Sequence, residues 1–180
     1  LETARQLGME NYRQLFSPDT ELGRWLATRN TMLRIGRNLF VHAGLSARLL
    51  ERDLEMDTLN ARMSEGLYRT SKERREDPTL EFLYRSAGPV WYRGMVCTDE
   101  KYDPLTPEQT DALLRRYDAD RLLVGHTIFP DISTFHDGRV IAVNVQNELN
   151  RRKNRGRAVL IEGSRISVVG NRGVKRVLEE

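Results

Sequence analysis

The sequence predicts a mixed α/β fold with α+β character, in which helices come early in the chain and antiparallel strands come late. Apolar residues recur with helical spacing at Leu22, Trp25 and Leu26. Short apolar runs bounded by glycine indicate strands, and two-residue turn signals in the last third of the chain indicate hairpins. A length of 180 residues suits one domain, or one large part of a bigger one.

The first half of the chain is expected to be helical around one pair of strands. Residues 1–29 are predicted to be helical, with an interruption at 17–19, and two short strands follow within 31–42. From about 47 to 86 the chain is charged and helix-prone. This segment is expected to be a helical insertion or cap.

The second half has sharper boundary signals. Thr106 and Gln109 flank Pro107 in a capping-box pattern, which predicts a helix that runs to about Tyr117. Asp137-Gly138 is a strong hairpin turn signal. The remaining strands are expected near 121–125, 131–145 and 157–169.

Composition excludes several classes of protein. Cys97 is the single cysteine, so no internal disulfide forms and cytoplasm is favoured over periplasm as the location. No apolar run reaches the ~18 residues of a membrane helix, so no membrane partner is expected. The net charge is only +3, and the basic run 150–157 contains no aromatic residue. That run is interpreted as a solvated loop, and nucleic acid is not an expected partner.

Two histidines occupy matching places in the sequence. His42 follows the apolar run 39–41, and His126 follows the apolar run 122–124 and Gly125. Ligands bind at the carboxyl ends of strands in sheet-based folds, and imidazole suits Mn, Fe and Zn. The pair could therefore form half of a metal site, although two ordinary hydrogen-bonded core histidines explain the same pattern. His136, beside the 137–138 turn, is expected to be exposed.

Arg93 is the candidate for anion binding. It lies between Trp91-Tyr92 and Gly94, where the aromatic rings could hold its guanidinium in place. An immobilised guanidinium is a good phosphate receptor. An ordinary surface arginine is the alternative, since the chain is rich in arginine.

Several motifs in this order resemble the C-terminal half of the calcineurin-like metallophosphoesterases, in particular their phosphoprotein phosphatase branch. Residues 39–46 resemble the family's strand followed by H-G-G-[IL]-S, with Ala43 in place of the first glycine. The segment 22–26 is similar to one in the bacterial Shewanella-like protein phosphatases. The other matching segments are Val124-Gly125-His126-Thr127, Asp137 to Val143, and Trp91-Tyr92-Arg93-Gly94.

The resemblance implies roles for three residues. His42 and His126 would be ligands of one metal in a centre of two divalent ions (Mn, Fe or Zn), and Arg93 would bind the substrate phosphate. A metal-bridging hydroxide would attack phosphorus in line. The fold would be half of a two-sheet sandwich flanked by helices, with residues 1–180 as the C-terminal part of one domain.

The family's other motifs, G-D-x-H-G, G-D-x-x-D-R-G and G-N-H-[ED], do not occur in this sequence. The resemblance therefore implies that an N-terminal half is missing, and that this chain alone is inactive. The implied function is hydrolysis of a phosphoester, with a phosphoprotein or a small phosphoester as substrate. Two alternatives stay open: a dinucleoside polyphosphate hydrolase, and a non-catalytic module that retains half of the fold.

Overall fold

The structure, a computed structural model, describes residue 8 and residues 12–179. Much of the predicted N-terminal helix (1–7 and 9–11) lies outside the described residues. The helices are α1 (Glu21–Ala27), α2 (Arg48–Arg52), α3 (Met56–Gly66), α4 (Ser71–Arg75), α5 (Pro78–Tyr84), α6 (Pro107–Arg116) and α7 (Asn147–Arg152). Short 3-10 turns occupy Glu100–Tyr102 and Asn171–Gly173.

Two sheets form the centre of the fold, so the predicted mixed α and β class is confirmed. The larger sheet has the order β1-β2-β3-β5-β4, and the smaller has the order β6-β7-β8. The strands are β1 (Met32–Ile35), β2 (Asn38–Val41), β3 (Arg121–Val124), β4 (Ser133–Phe135), β5 (Val140–Ala142), β6 (Ala158–Glu162), β7 (Arg165–Val169) and β8 (Lys175–Glu179).

The larger sheet is covered by helices on one face and by the smaller sheet on the other. Leu39 and Leu122 pack with residues of the helices in the main core. Leu123 and Ile141 share a second cluster with Ile166 of β7. Successive side chains of a strand point to opposite faces, which is why neighbouring residues of β3 enter different cores. The molecule is thus a two-sheet sandwich flanked by helices.

The segment 47–86 contributes four helices, and buried residues from three of them belong to the main core. Leu49, Leu59 and Leu83 are fully buried there. Its role as an insertion or cap stays a prediction. The charged residues Ser71–Arg75 of this segment form a helix, α4, and Thr70 and Glu73 form a capping box at its start.

The local start and turn signals are confirmed. Thr106 and Gln109 form both hydrogen bonds of a capping box at the start of α6. β4 and β5 pair antiparallel, as do β6 and β7. The predicted strand region 131–145 contains two short strands, β4 and β5, and β5 ends at Ala142, before the predicted end at residue 145. β8 was not predicted.

The basic run 150–157 is only partly a solvated loop, since residues 153–157 lie outside the helices and strands but the run is anchored at several points. α7 takes up its first three residues, and the Asn150 side chain is buried. Arg155 donates a hydrogen bond to Asn150 at 2.8 Å, and Arg157 donates to Asp131 at 2.7 Å. These two arginines are thus used to anchor the segment. Among the described residues, no helix is long and apolar enough to cross a membrane.

Candidate active site

Parallel pairing of β2 and β3 brings His42 and His126 to one edge of the larger sheet. Val41 lies opposite Val124 in the register, and each strand ends there. The Gly125 amide donates a hydrogen bond to the His42 carbonyl at 2.8 Å. A Cβ at Gly125 would lie 3.2 Å from that oxygen, so glycine permits this close approach of the two chain segments.

The two imidazoles are in direct contact. His42 Nε2 and His126 Nδ1 are 3.1 Å apart, within hydrogen-bond distance, and their ring planes are inclined by 63°. His42 is exposed, whereas His126 is half-buried. Nε2 of His126 is buried and has no hydrogen-bond partner among the described residues. The structure therefore brings together the two histidines that the sequence singled out.

The backbone of His126 adopts an uncommon conformation. Its φ of 60° lies in the left-handed region, which non-glycine residues visit rarely. The Thr127 amide donates to the Gly125 carbonyl at 2.6 Å, which closes a three-residue turn around His126. Such strain persists where the surrounding structure enforces it, and it clusters at functional sites.

The pKa of His126 is lowered from its ordinary value, first by burial and then by the positive charge of Arg93 and by His42. Burial penalises the charged imidazolium, and a nearby cation adds to this penalty. The shift favours the neutral form of the His126 imidazole.

A second loop, residues 87–94, carries Arg93 to the histidines. The Pro89 carbonyl accepts hydrogen bonds from the amides of Ala43 at 3.0 Å and Gly44 at 3.4 Å, directly after His42. Gly88 is required because a Cβ there would lie 1.9 Å from the Leu83 carbonyl oxygen. The loop is thus held against the end of β2 by backbone contacts.

Arg93 is half-buried and makes one hydrogen bond within the described part of the chain. Its Nη1 donates to the Thr127 hydroxyl at 3.1 Å, next to His126. Trp91 packs edge-on against the His126 ring, with the centroids 5.5 Å apart. No carboxylate among the described residues neutralises Arg93, so its remaining N–H groups can bind an anion.

Thr127 was missed in the sequence, and Trp91 was expected to hold Arg93 in place, not to contact His126. Thr127 orients Arg93, and Trp91 contacts His126, but neither residue type signals such a role by itself. His136 was expected to be exposed, and this was wrong. It is half-buried, with Nδ1 3.3 Å from the Thr110 hydroxyl and Nε2 3.1 Å from the Met95 carbonyl. Packing of the hairpin against α6 accounts for the difference.

No protein-family model matches the chain, and no match is found among curated proteins. Solved structures do match. A cold-active protein tyrosine phosphatase is 30% identical with a TM-score of 0.83, over 94% of this chain and 48% of that chain. The cold-active protein-tyrosine phosphatase of a psychrophilic Shewanella species is 28% identical with a TM-score of 0.83, over 93% of this chain and 48% of that chain. A single-residue mutant of a cold-active protein tyrosine phosphatase gives the same values as the latter.

These comparisons correct the resemblance stated above. The matching structures are described as protein tyrosine phosphatases, and assignment to the calcineurin-like metallophosphoesterases is contradicted. The expected cofactor, two divalent metal ions, is also contradicted. In residue 8 and residues 12–179, no group of three or more His, Cys, Asp or Glu side chains could hold a metal ion. Within the described residues, His42 and His126 are not joined by a third His, Cys, Asp or Glu side chain that could complete a metal site.

The chain spans about half the length of the structures that it matches, 48% in each case. The chemical roles of Arg93, His42 and His126 are not tested by these comparisons and stay predictions. Their common location at one sheet edge is an observation of the structure.

Proposed function

We propose that this chain forms the phosphate-binding part of a phosphatase that acts on phosphorylated tyrosine in proteins. The observation that carries the proposal is the likeness to protein tyrosine phosphatases at 28–30% identity over 93–94% of the chain. The arrangement at the sheet edge supports it, because a half-buried arginine and two histidines converge there.

In this proposal Arg93 binds the phosphoryl oxygens. A phosphoryl group carries negative charge on several oxygens, and a guanidinium fork binds two of them at once. Phosphoryl transfer depends on positioning and charge stabilisation, so a held arginine contributes directly to turnover. Thr127 keeps the guanidinium beside His126 through the 3.1 Å hydrogen bond.

We assign His42 and His126 to the same site, in contact with the phosphoryl group or with the water that attacks it. One nitrogen of each ring is engaged in the 3.1 Å contact between them. An imidazole can accept a proton from an attacking water or donate one to a leaving group, which suits acid–base work on a phosphoester. No observation favours a dinucleoside polyphosphate as the substrate.

We further propose that polypeptide beyond these 180 residues completes the site. The matched structures are about twice as long as the chain. Beside His42 lies an open groove of about 680 Å³ whose lining includes Leu33 and Val143, which are 42% and 37% exposed. Apolar surface beside a site suits a contact with further polypeptide. If so, the isolated piece will lack phosphatase activity that the complete gene product has.

The test is hydrolysis of a phosphotyrosyl peptide by the complete gene product and by its His42→Ala and His126→Ala variants. Loss of the acid–base contribution is expected to lower kcat by about 10²-fold or more in each variant. Arg151→Glu is the control, since Arg151 is exposed on α7 outside the site. Full activity of both histidine variants, or no hydrolysis by the wild-type protein, would refute the proposal.

A further inference from the structure

A cleft of about 560 Å³ opens beside Arg93. Trp91 and Arg93 line it and also belong to the site described above, so the cleft is continuous with that site. Its other walls come from the start of α2, from the end of α5 and from the turn after Glu100.

The lining of the cleft is strongly basic. Arg48, Arg85, Arg93 and Lys101 line it, against a single acidic side chain, Asp103. Arg48 has no ion-pair partner in the part of the chain that the structure describes. Arg85 meets the exposed Glu81 at 3.5 Å, and Lys101 pairs with Asp99 at 2.7 Å. An exposed ion pair as long as that of Arg85 is weak, so the positive charges of Arg48 and Arg85 are available to a ligand, whereas Lys101 is already paired.

Two tyrosines, Tyr84 and Tyr92, also line the cleft, and their hydroxyls make hydrogen bonds within the protein. Tyr84 donates its hydroxyl to the Met63 carbonyl, and Tyr92 donates to the Asp103 carbonyl. Tyr92 is only 3% exposed, and the guanidinium of Arg74 lies 3.8 Å from the ring centroid of Tyr84, so these two rings offer little free surface. Trp91, 54% exposed, supplies the accessible aromatic surface at the junction with Arg93. Such a surface binds an apolar or aromatic group below a charged rim.

We propose that this cleft binds the acidic residues that flank a phosphorylated tyrosine, so that acidic phosphopeptides are the preferred substrate class. The inference rests on the proposed phosphatase function. The phosphoryl group would reach Arg93, the tyrosyl ring would lie against Trp91, and flanking carboxylates would meet Arg48 and Arg85. Complementary charge of this kind gives selectivity and faster association.

The experiment compares two phosphotyrosyl peptides that differ only in their flanking residues, acidic in one and neutral in the other. The complete gene product is expected to have a lower KM for the acidic peptide. In the double variant Arg48→Glu/Arg85→Glu, KM for the acidic peptide is expected to rise about tenfold, and the preference to disappear. Arg151→Glu carries the same change of charge per site at a remote surface and is expected to keep the preference.

Salt gives a second readout that does not depend on the variants. Raising the ionic strength from about 0.05 M to about 0.5 M shortens the Debye length about threefold. This change is expected to raise KM for the acidic peptide more than KM for the neutral one. Equal KM values for the two wild-type reactions, with both peptides hydrolysed, would overturn this inference alone. Failure to hydrolyse either peptide would overturn the proposed function and this inference with it.

Discussion

The carbonyl of His42 accepts a hydrogen bond from the amide of Gly125 at 2.8 Å, and this contact aligns the two strand ends that carry the imidazoles. It extends the parallel pairing of β2 and β3 by one step beyond Val41 and Val124. The 3.1 Å contact of the His42 and His126 rings follows from it, although 84 positions separate the residues.

The left-handed backbone of His126 predicts an unusual order of stability among its variants. His126→Ala and His126→Gly both remove the imidazole, but only glycine adopts a φ of 60° without strain. The glycine variant is expected to be more stable than the alanine variant by about 1–2 kcal/mol in urea unfolding. Both should lose activity. An alanine variant as stable as the glycine variant would show that the turn around residue 126 is not strained.

Arg93 is expected to contribute to turnover more than to folding. Its side chain has one hydrogen bond, to Thr127, so Arg93→Ala removes little that stabilises the fold. Turnover is expected to fall by about 10²-fold, the scale seen when one charge-stabilising donor is lost. Arg93→Lys keeps the charge but loses the fork, and should recover only part of the rate. Unchanged kcat in Arg93→Ala would return Arg93 to an ordinary surface role.

Gly88 is predicted to be intolerant of any side chain. A Cβ at this position would lie 1.9 Å from the backbone oxygen of Leu83, which cannot move without shifting the end of α5. Gly88→Ala is expected to lower the free energy of unfolding by about 1–3 kcal/mol. Activity should fall too, because the Gly88 carbonyl accepts hydrogen bonds from the amides of Trp91 and Tyr92, directly before Arg93.

Gly8→Ala is the matched control for that substitution. A Cβ at Gly8 meets no atom of the described residues within 4 Å. Because Gly8 is helical and alanine is the better helix former, the unfolding midpoint of this variant should equal or slightly exceed that of the wild-type protein. Equal midpoints for the two alanine variants would contradict the tight packing of the 87–94 loop.

We expect the start of α5 to be destabilised by acid, because its N-cap is the carboxylate of Asp77. A hydrogen bond from Arg62, followed by the amide of Leu80, holds the pKa of Asp77 below its ordinary value of 3.8. The carboxylate caps α5 by accepting from the amides of Thr79 and Leu80. The contribution of the Asp77 carboxylate to the free energy of unfolding is complete above pH 3.8, and it is lost as the pH falls through the lowered pKa.

The Asp77→Asn variant distinguishes the effect of the capping hydrogen bonds from the effect of the carboxylate charge. Asparagine is also a good N-cap residue but does not titrate, so the variant should lose less stability than the wild type below pH 4. Urea unfolding at pH 7 and pH 3 measures the difference. Asp57→Asn is the control for removal of an exposed carboxylate near a helix start. Parallel losses in the wild type and Asp77→Asn would exclude the proposed role of Asp77.

The site illustrates what could be predicted from local sequence. His42 and His126 were found because each follows a short apolar strand, and Arg93 because aromatic residues and glycine surround it. The roles of Thr127 and Trp91 were not predictable, since each depends on a partner far along the chain, such as Arg93 at 34 positions from Thr127. Metal ligation was inferred from the two imidazoles at strand ends and from a family resemblance, and no local signal could test it.

The sequence alone determined the features whose interactions lie within a few residues. The capping box of Thr106 and Gln109 and the turn at Asp137-Gly138 are of this kind, because the interacting groups are close in the chain whatever the rest of it does. Only the tertiary structure decided which strands became neighbours. The pairing of β2 with β3, the Pro89 contacts behind His42 and the cleft beside Arg93 all join distant segments, and their geometry depends on how the helices and the two sheets pack together.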